Sequence, residues 1–337
     1  MKRWENKAQG IEGLQQVEAA EPAPGPREVL VRVRACSLNY RDVLTAEGKY
    51  SRAPNKAGLV PLSDGAGEVE SVGAEVTSVK PGDRVAGNFF QAWHGGPWKG
   101  EYVPSAMGGG IDGMLSEKVV LQEQGVVPLP AGYSFEEGAT LPCAALTAWN
   151  SVVTHGGLTK GETLLVQGTG GVSIFALQIA RALGAEVIAT TSSAAKASRL
   201  QAMGVKAVVN YKEEPDWEKA VLGLTGKKGV ELVCEVGGAG TLEKSIRSLA
   251  HGGRVMLVGV LAGGVSAGNP FGLAMKNATL RGIYVGSTSE FLQMNRFFEQ
   301  HAVRPVIDRV FHFGEAPEAL RYLKSGAHFG KVVISFG

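Results

Sequence analysis

The stretch from Thr163 to Thr191, TLLVQGTGGVSIFALQIARALGAEVIATT, limits the possible folds of this chain more than any other. A short apolar run stops at Gly168-Thr169-Gly170-Gly171. The residues after it are apolar at Val172, Phe175, Ala176, Ile179, Ala180 and Leu183, the spacing of one helical face. Gly184 suits the left-handed residue that ends a helix, and AEVIATT reads as a second strand. Strand, glycine turn, helix and strand in succession put the two strands parallel, because parallel neighbours need a crossover. Glycines permit the tight turn and let the backbone approach a pyrophosphate, which can rest on the unpaired N–H groups of a helix N-terminus. A tight turn that binds nothing would need similar glycines. The strand before the turn, the helix after it and a second strand ending about twenty residues on favour the dinucleotide reading.

The same grammar continues with KAVVNY, a helix near Asp216 to Leu224, VELVCEV, the helix TLEKSIRSLA, and the strands GRVMLVGV and ATLRGIYV. Six strands in two sets of three describe a doubly wound α/β sheet. The first third reads differently. In EVLVRVRACS, Val29, Val31, Val33 and Ala35 alternate with Leu30, Arg32 and Arg34, the period of a strand with one buried face. VTSVKPGDRVAG and MLSEKVVLQEQGVVPLP add short strands that end at turns and prolines. The closing HFGKVVISF can rejoin this β-rich part. A chain of 337 residues suits two domains, and the expected division is 1–140 with 285–337 against 141–284.

Several functions are disfavoured by composition. With 44% hydrophobic and 20% charged residues and a net charge of +2, the chain has no electrostatic case for a nucleic-acid partner. The N-terminus has no signal-peptide core, and the longest apolar run, Val255 to Val265, is too short for a bilayer. A cytoplasmic protein without a membrane partner is expected. Cys36, Cys143 and Cys234 are far apart and odd in number, so buried thiols are expected rather than disulfides or a zinc ribbon.

The end of the second strand bears on cofactor choice. NAD enzymes usually place Asp or Glu there for the ribose hydroxyls; here stand Thr190, Thr191, Ser192 and Ser193, followed by Lys196 and Arg199. With no carboxylate to repel a 2′-phosphate, NADP(H) is expected over NAD. Lys196 and Arg199 can equally belong to a solvated helix face.

At this point the chain resembles the medium-chain dehydrogenase/reductase superfamily, and in particular its zinc-free quinone-oxidoreductase-like branch. SLNYRDVL, SDGAGEV, LPCAALTAW, GTGGVS, GRVMLVG and GAHFGKVVI fall in the family's order along the whole chain. The resemblance implies a GroES-like catalytic domain from both chain ends, a Rossmann-like domain between them, and an active site in the cleft. It sets Asn39, Ser63-Asp64 and Cys143 where zinc relatives carry cysteine, Gly-His-Glu and a later cysteine. Asn and Ser cannot replace thiolate and imidazole. FQAWHGGPWKGEYVP, where the structural zinc lobe of those relatives falls, has no cysteine. No metal is expected.

By the same resemblance Asn39 and Tyr40 face the nicotinamide, Thr147 lies against it, and the backbone of Val258, Gly259 and Val260 meets its carboxamide. Tyr211 and Lys331 border the cofactor, and a homodimer forms through ATLRGIYV. The phenol of Tyr40 is a candidate donor to a substrate carbonyl, or a packed aromatic. The implied activity is NADP(H)-dependent, zinc-independent reduction of quinones, enones or related carbonyls. Two alternatives stand beside it: an alcohol dehydrogenase with a divergent zinc site around Cys143 and Asp64, and a protein that senses NADPH or a small ligand without turnover. Gly65 and Gly67 are expected where the β-domain bends near the cleft.

Overall fold

In the computed structural model, which describes residues 1–50, 57–259 and 271–337, the chain divides into one unit of Met1–Leu146 with Val285–Gly337 and another of Thr147–Tyr284.

The first unit opens with an antiparallel hairpin, β1 (Lys2–Asn6) and β2 (Leu14–Glu18). Its main sheet uses β3 (Glu28–Ser37), β4 (Asp64–Val72), β5 (Arg84–Gly87), β6 (Lys118–Gln122), β7 (Val126–Pro128), β14 (Ile307–His312) and β15 (Lys331–Ser335). The order is β14-β15-β3-β4-β5-β7, with β6 also paired to β3. The alternation in β3 holds in part: Val29, Val31, Val33 and Ala35 are buried and Arg32 is exposed, but Leu30 on the other face is buried too and Arg34 is half-buried. Two registers on β3 matter for function. Against β4, Ser37 faces Asp64 and Cys36 faces Gly65. Against β15, Ser37 faces Val333, and Leu38 N–H continues the ladder to Val332 O at 3.0 Å. Thus Asp64 and Lys331, 267 positions apart in the chain numbering, both come to the end of β3. Gly67 is required by β3 itself, since a Cβ there would sit 2.1 Å from Arg32 O; at Gly65 it would meet Met114.

The lobe of residues 90–102 is held by rings. Phe90 and Trp98 are 4.8 Å apart, Trp93 meets Trp98 edge-on at 5.0 Å, and Trp93 stacks on Tyr102 at 5.9 Å. Trp93 Nε1 donates to Gly96 O at 3.0 Å, which satisfies the one polar atom the ring carries.

The second unit is a six-stranded sheet of β8 (Thr163–Gln167), β9 (Glu186–Thr191), β10 (Ala207–Asn210), β11 (Val230–Glu235), β12 (Leu249–Leu257) and β13 (Thr279–Gly282), in the order β10-β9-β8-β11-β12-β13. Every neighbouring pair is parallel. Leu165, Ile188, Val209, Val233 and Val255 form its core with Trp217 and Ile246 from the helices Trp217–Leu224 and Leu242–Ser248. The fold is therefore α/β, a GroES-like β-rich unit and a Rossmann-like doubly wound one. Among the described residues no helix is long and apolar enough to cross a membrane.

Candidate functional site

In the nucleotide unit, β8 ends at Gln167 and the chain turns through Gly168, whose φ of +67° is left-handed. Gly168 N–H donates to Thr190 O at 2.8 Å, which ties the turn to the end of β9. A Cβ on Gly168 or Gly170 would meet nothing within 4 Å, so the glycines present bare backbone outward. The helix Gly171–Ala182 begins at Gly170 with no side-chain cap, leaving its first amides to an external acceptor. Thr169 is buried, while Gly171 and Val172 keep partial access. These features fit a pyrophosphate.

Thr191 is buried, and its carbonyl accepts Tyr211 N–H at 3.0 Å, bringing Tyr211, 41% exposed, beside the β9 end. Ser192 and Ser193 are half-buried, and Ser193 Oγ caps the helix Ala194–Ala202 by accepting Lys196 N–H at 3.5 Å. Lys196 is half-buried and Arg199 exposed. At the end of β12 the amides of Val258 and Gly259 both donate to Glu235 O, at 2.8 and 3.2 Å. Val260 lies outside the described residues. Thr147 is buried in the short helix Leu146–Trp149, between π-helical turns at Leu141–Ala145 and Asn150–Thr154. Such wide turns are rare and recur at functional sites. Trp149 is core, whereas Phe271 is 62% exposed.

In the β-rich unit a polar cluster gathers at the end of β3. Asn39 precedes the helix Tyr40–Ala46, and Asn39 N–H donates to Asp42 Oδ2 at 2.7 Å. Lys331 is buried; its Nζ donates to Leu38 O at 2.6 Å and to Asn39 Oδ1 at 2.7 Å. That bond orients the amide. Asn39 Nδ2 is a buried donor without a hydrogen bond of normal geometry, close enough to Asp64 to oppose part of the rise in its pKa. Asp64 is buried, accepting from Ser63 Oγ at 2.7 Å and from Cys143 N–H at 3.2 Å. Burial raises its pKa, and the Lys331 ammonium opposes the rise. Burial likewise lowers the pKa of Lys331 while Asp64 resists. Asp42, between Asn39 and Arg41, is raised by burial to about 6. Arg41 lies 3.5 Å from Asp42 and donates to Met107 O at 2.9 Å. Directly before Ser63, buried Leu62 has φ +68°, a conformation that costs an L-residue about 1–2 kcal/mol and that functional segments tend to retain.

The donor set does not suit zinc. Beside the thiol of Cys143 stand an amide, Asn39, and a carboxylate, Asp64, that already accepts from Ser63 and from the Cys143 amide, where zinc takes thiolates and imidazoles. Asn39 Oδ1 is engaged by an ammonium, a cation that a metal at this point would have to displace. Among the described residues no group of three or more His, Cys, Asp or Glu side chains could hold a metal. Tyr40, 38% exposed, stands in the first turn after Asn39. Sequence reasoning named Asn39 and Lys331 separately. It missed their contact and the part played by Arg41, because nothing local in the chain signals a bond between positions 39 and 331.

Two family models match the chain: an alcohol dehydrogenase GroES-like domain over residues 25–131 and a zinc-binding dehydrogenase over residues 171–300. The chain is 42% identical over 315 residues to a zinc-type alcohol dehydrogenase-like protein of Schizosaccharomyces pombe, covering 92% of this chain and 91% of that one. It is similar to a solved structure described as an NAD-dependent alcohol dehydrogenase, with 34% identity, TM-score 0.90 and full coverage of both chains. It is also similar to the Escherichia coli quinone oxidoreductase complexed with NADPH, with 25% identity, TM-score 0.85 and full coverage of both.

Proposed function

We propose, on the premise that this chain belongs to the medium-chain dehydrogenase/reductase superfamily, that it is an NADP(H)-dependent, zinc-independent reductase of quinones, enones or related conjugated carbonyls. The observation that carries this reading is the Lys331 ammonium on Asn39 Oδ1. Where zinc relatives would need a metal ligand, this chain has an amide already bonded to a cation of its own. In this reading Gly168, Thr169, Gly170, Gly171 and Val172 hold the pyrophosphate. Thr191, Ser192, Ser193, Lys196 and Tyr211 receive the adenosine end, and Thr147, Val258 and Gly259 border the nicotinamide.

When bound, the reduced nicotinamide supplies a hydride. Negative charge then develops on the acceptor oxygen, and donors fixed beforehand stabilise it. Tyr40 offers a phenol beside Asn39, and Lys331 keeps a positive charge behind the amide. Conjugated carbonyls suit this equipment because their charge is delocalised and the product can take its proton from a hydroxyl or water. An alkoxide would require a Lewis acid or a strong base. The hydroxyls at the end of β9, in place of a carboxylate, support NADP(H). Domain roles follow the 1–140 with 285–337 and 141–284 division. A homodimer in the cytoplasm completes the reading, joined at the outer edge of β13, where all four residues are exposed.

The test is a steady-state screen of 1,2-naphthoquinone, an enone and simple alcohols with NADPH and NADH, with and without chelator. Turnover of quinone or enone with NADPH, unaffected by chelation, is expected. Loss of activity on chelation, together with one zinc per chain, would establish the divergent alcohol dehydrogenase instead. Tight NADPH binding without oxidation by any acceptor would establish the sensor.

A further inference from the structure

The nucleotide unit contains a fully buried carboxylate that no step above uses. Glu235 ends β11, and both of its oxygens are occupied. Oε1 accepts Gly237 N–H at 2.8 Å, Gly238 N–H at 2.9 Å and the Thr241 hydroxyl at 2.6 Å. Oε2 accepts Gln167 Nε2 at 2.8 Å and the Ser245 hydroxyl. Gln167 Nε2 also reaches Ser245 Oγ at 2.6 Å, and the Gln167 carbonyl accepts Ser173 Oγ at 2.6 Å in the first turn of the helix Gly171–Ala182. The Glu235 carbonyl holds the amides of Val258 and Gly259.

Gln167 and Glu235 are the last residues of β8 and β11, the adjacent strands at which the order turns from β10-β9-β8 to β11-β12-β13. Open parallel sheets bind ligands at the carboxyl ends of the strands at such a switch point. The Gln167–Glu235 bond therefore spans the floor of the crevice. One residue connects the three: its side chain ties the glycine turn to the loop after β11, and its main-chain carbonyl holds the end of β12. A buried hydrogen bond to a carboxylate is strong and directional, so it holds the two strand ends in one geometry.

We infer that Glu235, acting through Gln167 and the amides of residues 237, 238, 258 and 259, is a positioning residue that fixes the strand ends of the crevice at the spacing the nicotinamide cofactor requires. The inference rests on the reading that this crevice binds such a cofactor. NADPH binding to the full chain, followed by fluorescence, tests it with Gln167→Leu, Gln167→Glu, the double variant Gln167→Glu/Glu235→Gln, and Leu232→Ala as a control for destabilisation in the middle of β11. Gln167→Leu removes the tie but leaves Glu235 its other donors. Gln167→Glu sets two carboxylates against each other. The double variant restores the bond with its polarity reversed, the amide now at position 235 donating and the carboxylate at position 167 accepting.

Both single variants are expected to weaken NADPH by at least about tenfold, and the double variant to recover to within about threefold of the unaltered chain. Leu232→Ala is expected to lower the melting temperature with affinity unchanged. Wild-type affinity in both single variants, or a double variant no better than Gln167→Glu, overturns the inference. Failure of the unaltered chain to bind NADPH or NADH would instead remove the functional reading beneath it.

Discussion

Replacing Asp42 with asparagine tests the electrostatics of the polar cluster most directly. Burial raises the Asp42 carboxyl from 3.8 to about 6, with Arg41 only partly opposing. A raised carboxyl pKa means that between these values the folded chain binds a proton the unfolded chain has released. The favourable contribution of protonated Asp42 is complete below pH 4 and disappears as pH rises through 6. A rise of about two pH units, at about 1.4 kcal/mol each, makes ionised Asp42 cost roughly 3 kcal/mol at neutral pH. The amide of Asp42→Asn keeps an oxygen for the Asn39 N–H but never acquires the charge. The stability of this variant relative to the unaltered chain should therefore improve by roughly 3 kcal/mol between pH 4 and pH 7.5. Urea unfolding across that range, read from Trp4, Trp93 and Trp98 in the same unit, measures the difference. A difference independent of pH, or one moving against the variant as pH rises, would refute the reasoning and make the Arg41 attraction the larger effect.

Lys331→Met should leave Asp64 without its nearest cation and cost about 3–5 kcal/mol in unfolding experiments, with part of the loss recovered by adding Asp64→Asn. Gly168→Ala meets no clash, so only the left-handed backbone is penalised, by about 1 kcal/mol in calorimetry; NADPH affinity, measured by fluorescence titration, should fall by more than that strain explains. Trp98→Ala should cost about 1–2 kcal/mol in urea unfolding through lost ring contacts, the side chain being already 36% exposed, and added zinc should not restore it.

Much of the fold is legible in the chain because it is encoded by local periodicity. The apolar run of β8, the glycine turn and the face from Val172 to Leu183 are short-range signals, and they yield the parallel sheet; its strand order is seen only in the pairing. β3 announces itself by alternation. What periodicity cannot express is a contact between distant ends. Lys331 reads as one more residue before an apolar strand, and only the pairing of β15 with β3 brings it under Asn39. Glu235 is an acid directly after Leu232-Val233-Cys234 and just before Gly237-Gly238, a signal that something must satisfy it but not what. The left-handed Leu62 and the π-helical turns around Thr147 are imposed by surrounding packing, and no propensity foretells them.

The ring-built lobe of Phe90, Trp93, Trp98 and Tyr102 has a further consequence. A lobe closed by thiolates is unfinished until an ion arrives, and it can be reopened by chelators or by oxidation of its sulfurs. Rings require nothing from solution. The parts that shape this lobe come with the chain itself, so the packing of its rings should be indifferent to added zinc or chelator.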